Sequence, residues 1–231
     1  MISRGQAYCL GPLKRGLDLA MALSGLLVLS PIFLALGLLV LVTSGRPVLF
    51  SQERIGRDGR RFRIIKFRSM GRDAASGLPI TGSGDPRVTR LGKLLRATKL
   101  DELPQLVNVL RGEMSVVGPR PEIPRYVARY TPAQLKILTI RPGLTDPASV
   151  LFLDEERLLG TRRGHEREDF YLKQVLPQKL RANLQYLAEA DLWYDLRLIT
   201  KTCVSLVRPR RNGAGPPGQN PGNGAIGEGF A

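Results

Sequence analysis

One long apolar run with a proline near its middle constrains the fold of this chain more than any other feature. The run extends from Leu17 to about Thr43 and carries almost no charge after Asp18. It is long enough to cross a membrane as a helix, which takes about 20 apolar residues. Pro31 divides it into two arms, and a proline inside a helix removes a backbone donor and clashes with the preceding turn. At about 1.5 Å per residue, each arm reaches roughly half of a bilayer.

The charges on either side of the run favour a segment that returns to the side it came from. Lys14 and Arg15 precede the run, and five arginines follow it: Arg46, Arg54, Arg57, Arg60 and Arg61. Because basic flanks stay on the cytoplasmic side, basic flanks at both ends predict a re-entrant helix-break-helix over residues 17–43, after a basic segment at 1–16. The Ser30 hydroxyl is expected to bond a carbonyl that Pro31 leaves free.

Three other interpretations of the run stay open at this point. The same apolar composition is compatible with a kinked helix that spans the membrane, with a cleaved signal peptide and with a buried core helix. No A-x-A-like cleavage site follows the apolar block, which argues against a signal peptide.

The composition indicates which partners the chain can bind and which kinds of cysteine and histidine site it can form. The chain has 35 Lys+Arg against 20 Asp+Glu, a formal net charge of +15, which suits an anionic partner. Its two cysteines, Cys9 and Cys203, lie far apart, which excludes a disulfide framework and a cysteine zinc site. A single histidine, His165 in a charged stretch, excludes two-histidine metal sites and argues against a Ser-His-Asp triad.

The remaining sequence predicts an α+β fold, mainly helical, with one compact cytosolic domain over residues 44–207 and a small β-hairpin. A Gly/Pro-rich tail at 208–231 is predicted to be disordered, and the Gly/Ser/Pro-rich stretch 74–86 to be a mobile loop. The expected elements are strands at 47–50 and 62–67, helices at 88–97, 101–112 and from Thr131 to before Arg141, and two amphipathic helices between Phe170 and Val207.

The last of these helices combines aromatic and basic residues. Trp193 and Tyr194 accompany Arg197 and Lys201, a mixture typical of a helix that lies in a membrane interface. An ordinary helix packed on the core explains the same pattern, so both readings remain.

Two adjacent carboxylates, Asp101 and Glu102, mark the predicted chemical centre. They stand at the expected start of a helix, where free N–H groups favour a phosphate, although acidic residues there are commonly only caps. Arg96 precedes the pair, and Arg120 follows it between Pro119 and Pro121. Carboxylates among arginines suggest a Mg²⁺-bound phosphate, because Mg²⁺ is commonly held by one or two carboxylates plus substrate phosphate oxygens.

At these residues the sequence resembles the bacterial sugar transferases, the monotopic phosphoglycosyl transferases that act on polyprenyl phosphate, in their minimal catalytic form. The resemblance covers most of residues 12–205 and rests on several long motifs in order. They are Lys14-Arg15 with Asp18, Ser30-Pro31, Gln52 to Gly56, Lys66 to Met70, Asp101 to Gln105, Gly112 to Pro121 and Arg141 to Thr145.

The resemblance implies a reaction and roles for individual residues. A sugar-1-phosphate passes from a UDP-sugar to polyprenyl phosphate with release of UMP, through a covalent intermediate on Asp101, with Mg²⁺ held by Asp101 and Glu102. Glu102 would support the site, and the residues implied to bind donor phosphates or nucleotide are Lys66, Arg68, Arg96, Pro119, Arg120 and Pro121. The family also places Ser30-Pro31 at the break of a re-entrant helix.

The resemblance further implies partners and a location. The enzyme is expected at the cytoplasmic face of the inner membrane, in contact with anionic lipid, and not on nucleic acid; a homo-oligomer is left open. After Arg141-Pro142-Gly143 many members continue differently from Thr145-Asp146-Pro147 of this chain, so the transferred sugar is not implied.

Two rival functions remain. A hydrolase of UDP-sugars would share most of these residues, with water as the acceptor. A membrane-tethered binding protein without catalysis would use the positive charge alone, but only 6% of residues are aromatic and no nucleic-acid motif is present.

Overall fold

A computed structural model of the chain describes residues 2–71, 80–148 and 155–207. The described part is mostly helical and carries two small two-stranded sheets. This confirms the predicted mainly helical α+β class. The predicted disorder of 208–231 and residues 74–79 of the predicted loop at 74–86 fall outside the described residues.

The helices and strands follow one another along the chain in this order. The first part contains α1 (Arg4–Leu10), α2 (Pro12–Val28), α3 (Ser30–Ser44), β1 (Leu49–Ile55), β2 (Arg61–Phe67), α4 (Arg90–Ala97) and α5 (Gln105–Leu110). The second part contains β3 (Ser115–Val117), α6 (Pro124–Val127), α7 (Pro132–Leu135), β4 (Gly143–Thr145), α8 (Glu155–Gly160), α9 (Gly164–Phe170), α10 (Leu176–Glu189) and α11 (Leu192–Val207).

The apolar run forms two helices that meet at the predicted break. α2 ends at Val28, α3 begins at Ser30, and the two axes differ in direction by 63°. Pro31 has no N–H for the carbonyl of Leu27, and the Ser30 hydroxyl donates to that carbonyl at 2.8 Å, as expected. In the described part of the chain, no single helix has the length and hydropathy of a membrane span, but this bent pair together meets that criterion.

The two helices leave most of their apolar side chains exposed. Leu27, Val28, Leu34 and Val42 are each more than 60% exposed, and α3 buries only Val40. The alternative of a buried core helix is therefore wrong. A contiguous apolar surface of this kind indicates an interaction with lipid or protein.

The buried contacts of α2 lie toward the rest of the domain. Arg15 donates to the carbonyls of Val109 and Leu110, at 2.8 and 3.1 Å, and so completes the C-terminal end of α5. Lys14 is only 4% exposed. The two basic residues before the apolar run thus bind the protein itself, which the sequence pattern did not reveal.

The predicted β-hairpin is present, with longer strands than expected. β1 and β2 pair antiparallel from Leu49 opposite Phe67 to Ile55 opposite Arg61. The connection is a 3₁₀ turn over Arg57–Gly59, in which Asp58 takes a left-handed conformation (φ 56°). The hairpin places Lys66 near the end of β2, beside the candidate site.

A second sheet, not predicted, consists of the short parallel strands β3 and β4. Ser115 pairs with Gly143 and Val117 with Thr145. A Cβ atom on Gly143 would lie 2.1 Å from the backbone nitrogen of Gly118, so the two segments approach more closely than side chains allow. Both strands have three residues, too few for an alternating pattern to identify them.

The C-terminal region contains the two predicted amphipathic helices, α10 and α11. Before them, a π-helical segment over Tyr171–Val175 joins α9 to α10. Pro177 explains this segment, because it offers no N–H to the carbonyl of Lys173 and the hydrogen-bond register widens there. On α11, Leu198 is buried while Trp193 is 68% exposed, so this helix has both a packed face and an apolar outer face.

Candidate active site

Asp101 and Glu102 lie in a tight turn and not at the start of a helix. The turn is a 3₁₀ segment over Leu100–Glu102, and α5 begins only at Gln105. The predicted helix from residue 101 was therefore wrong. Pro104 accounts for the difference, because without an N–H it cannot bond the carbonyl of Leu100 and continue an α-helical ladder.

The turn is reached through a left-handed residue. Lys99 has φ 58° and ψ 12°, a conformation that costs energy for a residue with a Cβ atom. It redirects the chain between α4 and the turn. Such local strain is found mainly where the surrounding structure enforces it, often at functional sites.

The helix α4 precedes this turn and packs against it. Thr89 caps the N-terminus of this helix, and its hydroxyl accepts from the N–H of Gly92 at 2.9 Å. A Cβ atom on Gly92 would lie 1.9 Å from the carbonyl oxygen of Ser69, so α4 packs directly on backbone. Leu95 of α4 joins a small core with Val40 and Phe67, against which Leu100 also packs.

Glu102 is bound by two cations from different parts of the chain. Lys66 Nζ lies 2.7 Å from one carboxylate oxygen, and Arg120 donates to both oxygens, with Nη1 at 3.2 Å. Burial raises the pKa of Glu102, but Arg120 and Lys66 outweigh it and hold that pKa well below its usual range. Glu102 is therefore a carboxylate whose charge is already compensated.

The two cations respond differently to burial. The pKa of Arg120 is raised, chiefly by its contact with Glu102. The pKa of Lys66 is lowered, because burial outweighs the attraction of Glu102. The backbone of β2 just before Lys66 is held by the fully buried Asn108, which accepts from Ile65 N–H at 3.1 Å and donates to Arg63 C=O at 2.8 Å.

Asp101, in contrast, has an oxygen with no hydrogen-bond partner among the described residues. Asp101 is 5% exposed, and this oxygen is its buried Oδ1. Burial raises the pKa of the Asp101 carboxyl, the nearby charge of Glu102 adds to the rise, and Lys66 opposes it. A buried carboxylate oxygen without a partner is costly, and it is a feature expected of a nucleophile or a metal ligand awaiting its substrate.

The Pro119-Arg120-Pro121 segment is held through its backbone. Its Pro119 carbonyl accepts from Gly143 N–H at 2.8 Å, and its Pro121 carbonyl accepts from Arg54 at 3.2 Å. The next carbonyl, of Glu122, accepts from Ile55 N–H at 2.9 Å. Because the backbone is fixed on both sides of Arg120, this residue contacts Glu102 at little further cost in backbone conformational entropy. Sequence reasoning missed the part played by Arg54.

Within the part of the chain that the structure describes, three buried nitrogen donors around this centre have no acceptor: Arg54 Nε, Arg96 Nη1 and Gln105 Nε2. Arg96 otherwise contacts Glu156 at 3.4 Å and Thr81 at 3.2 Å. Gln105 is only 2% exposed, in the first turn of α5. Unsatisfied donors next to two carboxylates favour binding of an anion with several oxygens, such as a diphosphate.

The donor set fits a Mg²⁺ ion that is completed by a substrate. No cluster of three or more His, Cys, Asp or Glu side chains suited to a metal occurs among the described residues. Asp101 nevertheless has its open oxygen beside Glu102. Mg²⁺ is commonly held by one or two carboxylates plus phosphate oxygens, so this pair suffices only when phosphates supply further ligands.

Arg68 lies apart from the other predicted phosphate-binding residues. Its Nη2 donates to the carbonyls of Ser44 and Gly45 at the end of α3, the latter at 2.7 Å. Lys66 and Arg120 both contact Glu102, whereas Arg68 marks the point where α3 meets the domain.

A buried polar cluster, also missed by sequence reasoning, links the N-terminal helices to α11 and to β3. Lys14 lies 3.3 Å from Asp18 and 2.7 Å from Asp195, and all three residues are less than 5% exposed. Tyr8 and Tyr186 both donate to Asp195, at 2.9 and 2.7 Å.

Asp18 connects this cluster by hydrogen bonds to β3, the strand that precedes Pro119. Its Oδ1 accepts from the Ser115 hydroxyl and from Val116 N–H, each at 3.0 Å. The spacing of Lys14 and Asp18 was a usable signal, since an aspartate at the start of an apolar helix requires a partner. The contact joins the apolar helix pair to the segment that presents Arg120.

Comparison with known proteins gives a family for the chain. The model of the family "Bacterial sugar transferase" matches residues 10–209. The "Exopolysaccharide production protein PSS" of Rhizobium leguminosarum bv. phaseoli is 38% identical over 213 residues, covering 84% of this chain and 94% of the relative.

Two further relatives have names that state a reaction. A "UDP-glucose:undecaprenyl-phosphate glucose-1-phosphate transferase" of Caulobacter vibrioides is 37% identical, covering 84% of this chain and 69% of the relative. A "UDP-N-acetylgalactosamine-undecaprenyl-phosphate N-acetylgalactosaminephosphotransferase" of Aeromonas hydrophila is 36% identical over 84% of this chain, which spans only 44% of that relative. The named sugars differ between these relatives.

Proposed function

The chain belongs to the bacterial sugar transferase family, and from this premise we propose that it transfers a sugar-1-phosphate from a UDP-sugar to polyprenyl phosphate. The names of the relatives, which contain undecaprenyl phosphate and UDP-sugars, support the two substrates. The reaction would begin the assembly of a glycan such as an exopolysaccharide, capsule, O-antigen or glycoprotein glycan.

The first step is an attack by Asp101 on the phosphorus that bears the sugar. A bond forms between the carboxylate oxygen and this phosphorus, the bond to the UMP oxygen breaks, and UMP leaves with the electron pair. The observation that carries this assignment is the open Oδ1 of buried Asp101 beside a Glu102 already paired with Lys66 and Arg120. Of the two carboxylates, only Asp101 is free to act as nucleophile.

Lys66 and Arg120 serve the same step through charge. Glu102 keeps both cations in place, and their remaining donors face the negative charge that develops on the transferred phosphoryl group. Arg96 and the donors of Arg54 and Gln105 contribute contacts to the donor diphosphate.

The second step returns Asp101 to its starting state. A phosphate oxygen of the lipid acceptor attacks the phosphorus of the enzyme-bound phosphosugar, and the bond from this phosphorus to Asp101 breaks with its electrons on the carboxylate. The product is a lipid diphosphate sugar. The total charge of the reactants equals that of the products.

Mg²⁺ belongs to this proposal as a cofactor held by Asp101 and Glu102 with substrate phosphates. When bound, it would supply charge neutralisation for the phosphates.

The place of action in this proposal is the cytoplasmic face of the inner membrane. We take α2 and α3 as a re-entrant pair, supported by the 63° bend and by their exposed apolar side chains. The outer face of α11, with Trp193, would lie in the interface. Surface basic residues would contact anionic lipid.

A product assay separates this function from its two rivals. Purified protein with Mg²⁺ and a UDP-sugar should release UMP in continued turnover only when polyprenyl phosphate is present. Continued UMP release without the lipid would indicate a hydrolase, and no release under either condition would indicate a binding protein. In the latter case, affinity for nucleic acid that falls steeply with salt would identify the ligand class.

A further inference from the structure

We propose that Arg68 binds the phosphate of the lipid acceptor, at a position separate from the contacts of the nucleotide-sugar. This inference rests on the proposed function, since it divides one active site between two phosphate substrates.

Arg68 is a buried cation with unused donors. The residue is 7% exposed, and two of its three guanidinium nitrogens, Nε and Nη1, are buried with no acceptor among residues 2–71, 80–148 and 155–207. In the described part of the chain no carboxylate pairs with it, whereas Lys66 and Arg120 share Glu102. Burying a guanidinium without an anion is costly, and a phosphate offers both the charge and the acceptor oxygens.

The position of Arg68 favours the acceptor over the donor. Its Nη2 is fixed by the Ser44 and Gly45 carbonyls at the end of α3, where the apolar helix pair meets the domain. Exposed apolar side chains flank these carbonyls along the chain: Val42 is 76% exposed, Leu49 47% and Phe50 45%. A polyisoprenyl chain approaching along this apolar surface would bring its phosphate to Arg68.

The same position is connected to the nucleophile. Phe67, the neighbour of Arg68, packs in the small core that also contacts Leu100, the neighbour of Asp101. Two residues before Arg68, Lys66 contacts Glu102 at 2.7 Å. An acceptor phosphate held by Arg68 therefore lies on the membrane side of the turn that carries the covalent intermediate.

The two half-reactions test this assignment separately. The UMP burst without acceptor reports donor binding and attack by Asp101, and the discharge of the preformed adduct by increasing polyprenyl phosphate reports acceptor binding. Arg68→Gln should leave the burst within about twofold and raise the half-saturating acceptor concentration about tenfold or more, the loss of one charged contact. Arg63→Gln is the matched control and should change neither value, because Arg63 is an exposed arginine of β2, the strand that ends just before Arg68.

Three results would overturn the assignment. Arg68→Gln could slow burst and discharge equally, which indicates a donor-binding or purely structural role, or it could change neither. An effect that occurs in nanodiscs of phosphatidylglycerol but not of phosphatidylcholine would indicate a lipid headgroup site.

If Arg68→Gln does not fold, Arg68→Lys serves instead, since it retains the charge and should still raise the half-saturating acceptor concentration without slowing the burst. A wild-type protein with no burst at all would contradict the proposed function itself and not this assignment.

Discussion

Arg120 and Glu102 form a two-pronged ion pair, in which Nη1 of the arginine donates to Oε2 at 3.2 Å and Nη2 donates to Oε1. The arginine comes from a segment whose backbone is fixed on both sides, and the glutamate from the turn that carries Asp101. The pair therefore joins the nucleophile turn to the Pro-Arg-Pro segment.

Replacing Arg120 by lysine should impair the first half-reaction while the protein remains folded. Lysine keeps the charge but cannot make both contacts, and the loss of a charge-assisted hydrogen bond of about 1.5–3 kcal/mol corresponds to about a 10- to 100-fold slower UMP burst. Arg125→Lys is the matched control, because the exposed Arg125 pairs with a different carboxylate, the buried Glu168. A burst at the wild-type rate in Arg120→Lys would show that the two-pronged geometry is unnecessary.

Gly92 is expected to tolerate no side chain. A methyl group there would meet the Ser69 carbonyl and displace α4, which supports the turn at Leu100. Gly92→Ala should lower the free energy of unfolding by about 1–3 kcal/mol, as overpacking does, and reduce turnover with it. Thermal unfolding in detergent measures this.

Gly16 provides the comparison for Gly92. It lies within α2 with no atom near its would-be Cβ, so Gly16→Ala should raise stability by about 0.5–1 kcal/mol. Equal effects of the two substitutions would contradict the proposed packing of α4 on Ser69.

Asp18 should contribute to stability although it lies far from the chemistry. Asp18→Asn weakens its contacts with Ser115, Val116 and Lys14, while Lys14 keeps Asp195. A decrease of about 1–3 kcal/mol in the free energy of unfolding is expected, because these hydrogen bonds to a charged group are buried. Ser24→Ala, on the exposed side of the same helix, should change it by less than about 0.5 kcal/mol. Unchanged thermal unfolding of Asp18→Asn would refute this role.

The membrane topology of the apolar helix pair can be measured by labelling, which shows whether its two ends lie on the same side. In a Cys203→Ala background, Arg4→Cys and Arg60→Cys place exposed thiols before α2 and after β1. A membrane-impermeant reagent should reach both from the same side. Pro31→Ala should place the two thiols on opposite sides in part of the molecules, since it restores a continuous helix long enough to span.

Pro12→Ala is the control for the labelling, because Pro12 lies in the first turn of α2, where proline does not interrupt a helix. Labelling of Arg4→Cys and Arg60→Cys from opposite sides in the otherwise unchanged protein would disprove re-entry.

The sequence predicted the features that depend on local patterns. The helix break at Ser30-Pro31, the hairpin and the helix α4 follow from proline chemistry, strand patterns and helical apolar spacing. The features that it did not predict depend on contacts between distant residues, such as Lys14 with Asp195 or Arg54 with Pro121. Asp101 and Glu102 were identified as the site, but their turn was misassigned because the effect of Pro104 on the preceding hydrogen bonds was not recognised.

The covalent intermediate is the central claim, and intact mass spectrometry tests it most directly. Protein incubated with Mg²⁺ and a panel of UDP-sugars, without lipid acceptor, should gain the mass of one sugar-phosphate with at least one donor. Asp101→Asn should gain none, whereas Arg63→Gln should behave as the wild type does. An adduct that persists in Asp101→Asn would contradict the assignment of the nucleophile, and the absence of any adduct from a wild type that turns over with lipid would contradict the covalent mechanism.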